Sequence, residues 1–326
     1  MAELPITHVL PELLSALTAK PNAVLIAPPG AGKTTSVAPA LLDQPWCAGQ
    51  ILLLSPRRLA ARAAAERMAE LAGEPVGQTV GYATRMDSKG SAGTRIMVLT
   101  EGIFLRRIQA DPELSGVSAV LFDEVHERSL DSDFGLALAL DAQAGLRPDL
   151  RVVAMSATLD GGRFAALMDA PIIESAGRSY PLAVHHIGRR ADERIEDVMA
   201  SAIRRAFAEQ EGDILAFLPG VSEIDRTAER LVGIAAEVLP LHGSLDPAAQ
   251  RAALHKNEKR KVILATSIAE TSLTIDGVRI VIDSGLARRA RYDRVAGSTR
   301  LVTERASQAA ATQRAGRAAR QGPGVV

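Results

Sequence analysis

The chain has 326 residues, enough for about two domains at roughly 150 residues each. Lys and Arg number 38 and so do Asp and Glu, which gives zero net charge and excludes the simplest signature of a uniformly basic nucleic-acid-binding domain. Apolar residues at 47% exclude disorder, and aromatics at 3% argue against rows of stacking rings. A single cysteine, Cys47, excludes an intrachain disulfide and a cysteine-built zinc cage. No apolar run approaches the roughly 18 residues that cross a bilayer, and the opening MAELPITHVL lacks the basic start of a secretory signal, so a cytoplasmic protein is expected.

In chain order, strands are predicted at Ala23–Ala27, Ile51–Ser55, Arg95–Leu99, Ala119–Asp123 and Val152–Met155. Most are continuous apolar runs, the pattern of parallel strands buried on both faces. Helical stretches such as Leu59–Leu71 and Thr100–Ala110 separate them, so the alternation predicts an α/β fold with a doubly wound parallel sheet. The segment Glu174–Pro181 reads as a linker, which places a boundary near Ser175–Gly177 and gives domains 1–176 and 177–326. Alternation then restarts, with strands at Ala183–Ile187, Asp213–Phe217, Glu237–Leu241, Lys261–Ala265 and Ile280–Asp283. Helices are predicted at Glu193–Glu209, Ser222–Ile234 and Pro247–Leu254.

Charge separates the halves. Residues 1–176 hold 15 basic against 20 acidic side chains, and residues 177–326 hold 23 against 18. Much of the excess lies late, from Arg288 to Arg320, as a basic face or as a solvated one.

The strand Ala23–Ala27 runs into Pro28, Pro29, Gly30, Ala31, Gly32, Lys33, Thr34 and Thr35, and a helix follows. This is a phosphate-binding loop with Ala27 where glycine usually opens the pattern. Its glycines let backbone N–H groups wrap a phosphate chain, and the helix N-terminus adds an anion site. Lys33 would neutralise β- and γ-phosphate charge, and the Thr34 hydroxyl would ligate Mg²⁺. Asp123 and Glu124 follow a strand about ninety residues later, Asp123 suited to Mg²⁺ and Glu124 to orienting or deprotonating water. Two carboxylates beside a phosphate loop repel one another without a metal, so the pair itself implies one. The combination reads as an NTPase.

Asp123-Glu124-Val125-His126-Glu127-Arg128-Ser129 resembles the second motif of the DEAH/RHA group of superfamily 2 helicases. Further motifs of that group appear in order: Ser55 to Ala61 (Ia), Thr100-Glu101-Gly102 (Ib), Ser156-Ala157-Thr158 (III), Phe217 to Gly220 (IV), Thr266 to Gly277 (V) and Gln313 to Arg320 (VI). The resemblance spans roughly residues 24–320. It implies two tandem RecA-like domains, each a mostly parallel sheet flanked by helices, with ATP and Mg²⁺ bound in the cleft between them and RNA as partner.

By position, the family implies Arg317 and Arg320 as arginine fingers and Gln313 on the γ-phosphate side. It implies Arg67 against the adenine, and Thr274 and Asp276 near the ribose. His126, Ser156 and Thr158 would couple nucleotide to nucleic acid, which Arg58, Arg85, Thr100 and Ser267 would contact along its backbone. The segment Ala287–Ala306 resembles the family's β-hairpin.

Three departures accompany the resemblance. No aromatic stands near Ala253–Leu254 to stack on a base, which leaves other NTPs open as substrates. Ala319 replaces a glycine of motif VI. The chain stops just past that motif, so poor unwinding by this chain alone is expected. A DNA-directed motor and an NTP-dependent RNA clamp stay open as alternatives. His242-Gly243-Ser244 reads as a turn, and His185 and His186 fall on opposite strand faces with no metal partners.

Overall fold

The computed structural model describes residues 4–28, 30–157, 161–175, 180–190, 192–255, 257–270, 275–294, 296–320 and 322–326. Pro29, Thr158 and Thr274, all expected site residues, lie outside the described residues. Contacts divide the chain into two compact units, Met1–Arg178 and Ser179–Val326.

Unit 1 runs α1 (Leu10–Ala19), β1 (Asn22–Ile26), α2 (Lys33–Leu41), β2 (Gln50–Ser55), α3 (Arg58–Leu71), β3 (Val80–Ala83) and β4 (Ser88–Lys89). It continues with β5 (Ile96–Thr100), α4 (Glu101–Ala110), β6 (Val117–Phe122), α5 (Leu130–Gly145), β7 (Arg151–Ser156), α6 (Gly161–Met168) and β8 (Ile172–Glu174). The strands form one sheet in the order β4-β3-β5-β2-β6-β7-β1-β8, parallel except for the β3–β4 pair.

Period-two alternation explains why these strands read as unbroken apolar runs. Ala23, Leu25, Leu53 and Leu121 point into a core with α1, α2 and α3, where Leu13, Val37 and Met68 pack. Val24, Ile26, Leu52 and Phe122 point the other way, toward Phe104, Leu136 and Phe164 of α4, α5 and α6. Phe104 meets Phe122 edge to face at 5.6 Å between ring centroids.

Unit 2 runs β9 (Leu182–Ala183), α7 (Ile195–Glu209), β10 (Asp213–Phe217), α8 (Val221–Arg230), β11 (Glu237–Leu241), α9 (Pro247–Leu254) and β12 (Lys261–Ala265). It ends with β13 (Val278–Asp283), β14 (Leu286–Asp293), β15 (Ser298–Arg305), α10 (Gln308–Ala315) and β16 (Gly324–Val325). Its parallel sheet has the order β11-β12-β10-β13-β16-β9, and β14 and β15 form a separate antiparallel hairpin. The strand expected over Ala183–Ile187 is restricted to Leu182–Ala183; residues 184–187 are exposed, with one further backbone hydrogen bond from the His185 N–H to the Val326 carbonyl at 2.7 Å. Among the described residues, no helix is long and apolar enough to cross a membrane.

The strand orders decide what can become neighbours. Along β5-β2-β6-β7-β1, the loops leaving the carboxyl ends begin at Thr100, Ser55, Phe122, Ser156 and Ile26. Five sequence-distant motifs therefore emerge side by side on one edge, where open α/β sheets bind ligands.

Phe104 is fully buried between α4 and β6. Phe104→Ala is expected to cost about 3–5 kcal/mol, the usual loss for truncating a buried aromatic. Urea unfolding measures it, and a loss near zero would contradict this packing.

Candidate functional site

The phosphate loop follows β1 and ends at the first turn of α2. Gly30 and Gly32 have φ of +85° and +94°, the left-handed region that glycine enters without strain. Gly32 is further confined from behind: a Cβ there would lie 2.7 Å from Leu4 Cδ1. The Ile6 N–H also donates to the Ala31 carbonyl at 3.2 Å, so the segment preceding α1 backs the loop.

Lys33, the first residue of α2, is almost fully buried and lies 3.3 Å from both carboxylate oxygens of Glu124. The Thr34 hydroxyl donates to Asp123 Oδ2 at 2.6 Å, while Asp123 Oδ1 accepts the Glu124 N–H at 2.9 Å. These contacts join residues about ninety positions apart. Burial, then the Glu124 carboxylate, pushes the Asp123 carboxyl up to about 7, against the opposing pull of Lys33 and Thr34.

The turn after Asp123 is strained. Glu124 and Arg128 have φ of +54° and +53° and bracket the single 3-10 turn Val125–Glu127. Each left-handed non-glycine residue costs on the order of 1 kcal/mol or more, which the flanking contacts must offset. Three contacts do so. His126 Nδ1 accepts the Ala157 N–H at 3.2 Å, which ties the turn to the loop after β7 and keeps that nitrogen unprotonated. Burial holds the His126 pKa below its ordinary value. Glu127 pairs with Arg57 of the loop before α3 at 3.7 Å. Ser129 caps α5 by accepting the Ser132 N–H, and its hydroxyl donates to Glu101 of α4 at 2.6 Å. One turn thus touches the loops after β1, β2, β5 and β7.

The structure therefore brings Gly30 to Thr35, Asp123, Glu124, His126 and Ser156 to one place. Ser156 is buried and pairs in register with Ile26 of β1. Arg58 and Arg85 are exposed, and Thr100 is half-buried at the start of α4. Arg67 pairs with Glu70 on the outer face of α3 at 2.6 Å.

In unit 2, Asp276 is exposed and Ser267 half-buried, and Gln313 lies on α10. Arg317 is buried with its Nε donating to the Glu270 carbonyl at 3.1 Å, and Arg320 is half-buried. Ala319 does not have a positive φ, so the alanine expected to strain motif VI brings no backbone strain there.

Sequence reasoning missed three residues of these networks: Glu101, the pairing role of Ser129, and Arg314. Arg314 is 1% exposed and donates to Asp283 at 2.8 Å and to the Leu286 carbonyl at 3.1 Å, with Glu270 at 3.5 Å and the Phe217 ring centroid 5.0 Å away. It joins the ends of β10 and β13 and the start of β14 to Glu270, which follows β12. The available signal is its place within Gln313 to Arg320, beside Arg317 and Arg320.

Among the described residues, no three His, Cys, Asp or Glu side chains form a metal cage. A Thr hydroxyl touching a buried carboxylate fits Mg²⁺, which takes one or two protein oxygens and completes its shell with phosphates and water. The raised Asp123 pKa has the same meaning, a carboxylate short of positive charge.

The folded-state value of about 7 exceeds the ordinary 3.8, so Asp123 supports folding below the ordinary value and loses that contribution as pH rises through about 7. With a chelator and no nucleotide, Asp123→Asn is expected to raise Tm at about pH 8 and leave it nearly unchanged at about pH 4. Equal shifts at both pH values would contradict the assignment.

The chain matches the DEAD/DEAH box helicase family over residues 7–165 and the helicase conserved C-terminal domain over residues 193–322. It is 50% identical to the ATP-dependent RNA helicase HrpB of Escherichia coli (strain K12), aligning over 100% of this chain and 41% of that protein. It is 36% identical to the probable ATP-dependent RNA helicase DHR2 of Saccharomyces cerevisiae, over 98% of this chain and 46% of that protein. The crystal structure of the E. coli DEAH/RHA helicase HrpB superposes with a TM-score of 0.92 at 49% identity, covering 99% of this chain and 42% of that one. The chain spans less than half the length of these relatives. With both domains matched in order and both sheets RecA-like, the chain belongs to the DEAD/DEAH box helicases.

Proposed function

We propose that this chain is the motor core of an ATP-dependent RNA helicase, with residues 1–176 and 177–326 as its two working domains. The observation that carries the reading is the double bridge from α2 to the end of β6, Thr34 to Asp123 and Lys33 to Glu124. The names of the matched relatives support ATP and RNA as the substrate classes. The lone, buried Cys47 supports a cytoplasmic setting.

In this reading the phosphates lie on the backbone of Gly30 to Thr35, at the N-terminus of α2. Lys33 turns from Glu124 to the phosphate oxygens and leaves Glu124 without its cation. Glu124 can then accept the proton of a water that attacks the γ-phosphorus, with ADP as leaving group. Thr34 and Asp123 would hold Mg²⁺, whose charge neutralises the β- and γ-phosphate oxygens when bound. Gln313, Arg317 and Arg320 of unit 2 add positive charge and hydrogen bonds to the transferring group. Arg67, Thr274 and Asp276 serve the base and ribose, and without an aromatic near Ala253–Leu254 other NTPs are accepted.

Arg58, Arg85, Thr100 and Ser267 contact sugar and phosphate, which gives affinity without sequence readout. His126 and Ser156, with Thr158, join the two events. The hairpin β14–β15 supplies a wedge between strands.

Glu124→Gln is expected to lower RNA-stimulated turnover about 10²–10⁴-fold while ATP still binds, the usual loss of a general base. Steady-state ATPase assays with RNA and DNA of equal length check both chemistry and partner. Greater stimulation by RNA is expected. Full activity of Glu124→Gln would refute the mechanism, stimulation by DNA alone would move the substrate class, and stimulation by neither would favour a clamp.

A further inference from the structure

The expected nucleic-acid contact Arg85 sits at the tip of a small hairpin. Strands β3 and β4 pair Tyr82 with Lys89 and Ala83 with Ser88. The turn between them is closed by Thr84, whose N–H and hydroxyl both donate to the Asp87 carbonyl, at 2.8 and 3.0 Å. Arg85 and Met86 project from this closure, with Met86 75% exposed. Neither has a positive φ. Two-residue hairpin turns with negative φ twist against their strands and splay them, so this one needs a tie from outside.

Asp87 supplies the tie. Its carboxylate accepts the Tyr82 hydroxyl at 2.6 Å and a second hydrogen bond from Arg62 Nη2. The Arg62 guanidinium also lies over the Tyr82 ring, 5.4 Å from its centroid. Tyr82 is buried in β3, and Arg62 is on the first turns of α3, the helix that begins with Arg58. The Tyr82 hydroxyl first, and Arg62 after it, hold the Asp87 carboxyl below the usual carboxylate range. The carboxylate therefore stays charged for both donors.

We propose that Asp87 is a positioning residue for nucleic-acid binding: clamped by Arg62 and Tyr82, it fixes the β3–β4 turn so that Arg85 is preset to meet a backbone phosphate. The proposal rests on the reading of Arg85 as a phosphate contact. A fixed turn lowers the ordering cost at binding, which is where preorganisation raises affinity. It also links the turn that carries Arg85 to the helix that begins with Arg58, because Arg62 of α3 is one of the two partners of Asp87.

The sign of the effect separates positioning from simple electrostatics. An acid beside a phosphate contact repels the phosphate, so deleting it should tighten binding. Positioning demands the reverse.

The test uses the 326-residue chain, a fluorescent single-stranded oligoadenylate and the RNA-stimulated ATPase. Asp87→Ala is expected to raise the half-saturating RNA concentration roughly three- to tenfold, with maximal stimulated turnover retained at saturating RNA. Asp87→Asn, which keeps an oxygen for both donors, recovers most of the affinity, and Tyr82→Phe loses an intermediate amount. Arg85→Ala with Asp87→Ala binds no more weakly than Arg85→Ala alone, because the two act as one unit.

Three results would overturn the proposal. Asp87→Ala binding as tightly as the unaltered chain, or more tightly, while Arg85→Ala binds weakly, would remove the positioning role and leave the contact standing. Losses that simply add would do the same. Unchanged RNA affinity in Arg85→Ala would instead remove the contact itself, and the reading beneath the proposal with it.

Discussion

Two neighbouring carboxylates, Asp123 and Glu124, are buried at the end of one strand with the Lys33 ammonium against Glu124. Much of unit 1 can be understood as the means of holding that arrangement in place. The carboxylates come from β6 and the ammonium from α2, which β1 introduces, with β7 lying between the two strands in the sheet. Three adjacent strands, buried along nearly their whole length, set the spacing between the acid pair and Lys33. A nucleotide with its cation would offset this crowding of negative charge, and burial beside Glu124 is what pushes the Asp123 carboxyl up to about 7.

The same pair explains the strained turn that follows. A left-handed Glu124 aims its carboxylate back at Lys33, and a left-handed Arg128 returns the chain to α5. Between them, His126 reaches the loop after β7 and Glu127 the loop before α3, and just past them Ser129 reaches the start of α4. The loops that would carry RNA are thus wired directly to the residue that would activate water. Unit 2 repeats the device with Arg314, which gathers three loop ends around one guanidinium.

The central strands were legible because both faces of the sheets are covered. Asp213–Phe217 and Lys261–Ala265 have the bounds expected from their apolar runs and flanking polar residues. Edge elements were not: β3 is short and contains Gly81, and β4 is an exposed Ser-Lys pair that exists only through its partner. The strand expected over Ala183–Ile187 is assigned only over Leu182–Ala183, because the partner β16 is itself only Gly324–Val325 and pairs with it over two residues. Helix α5 went unassigned because its apolar residues follow one another without a clean stripe. The phosphate loop and acid pair were readable from motif and spacing. Glu101, Arg314 and Asp87 were not, because each acquires its role only through a partner that folding brings close.

The central claim is that the buried acid pair is a receptor for a cation-bound nucleotide, with Asp123 surrendering a proton as the site fills. Calorimetric titration with Mg²⁺ and ADP at about pH 6.5, in buffers of different ionisation enthalpy, counts that proton directly. The account predicts net proton release in the unaltered chain and its disappearance in Asp123→Asn. Binding with no proton release, or with the same release in both chains, would contradict it.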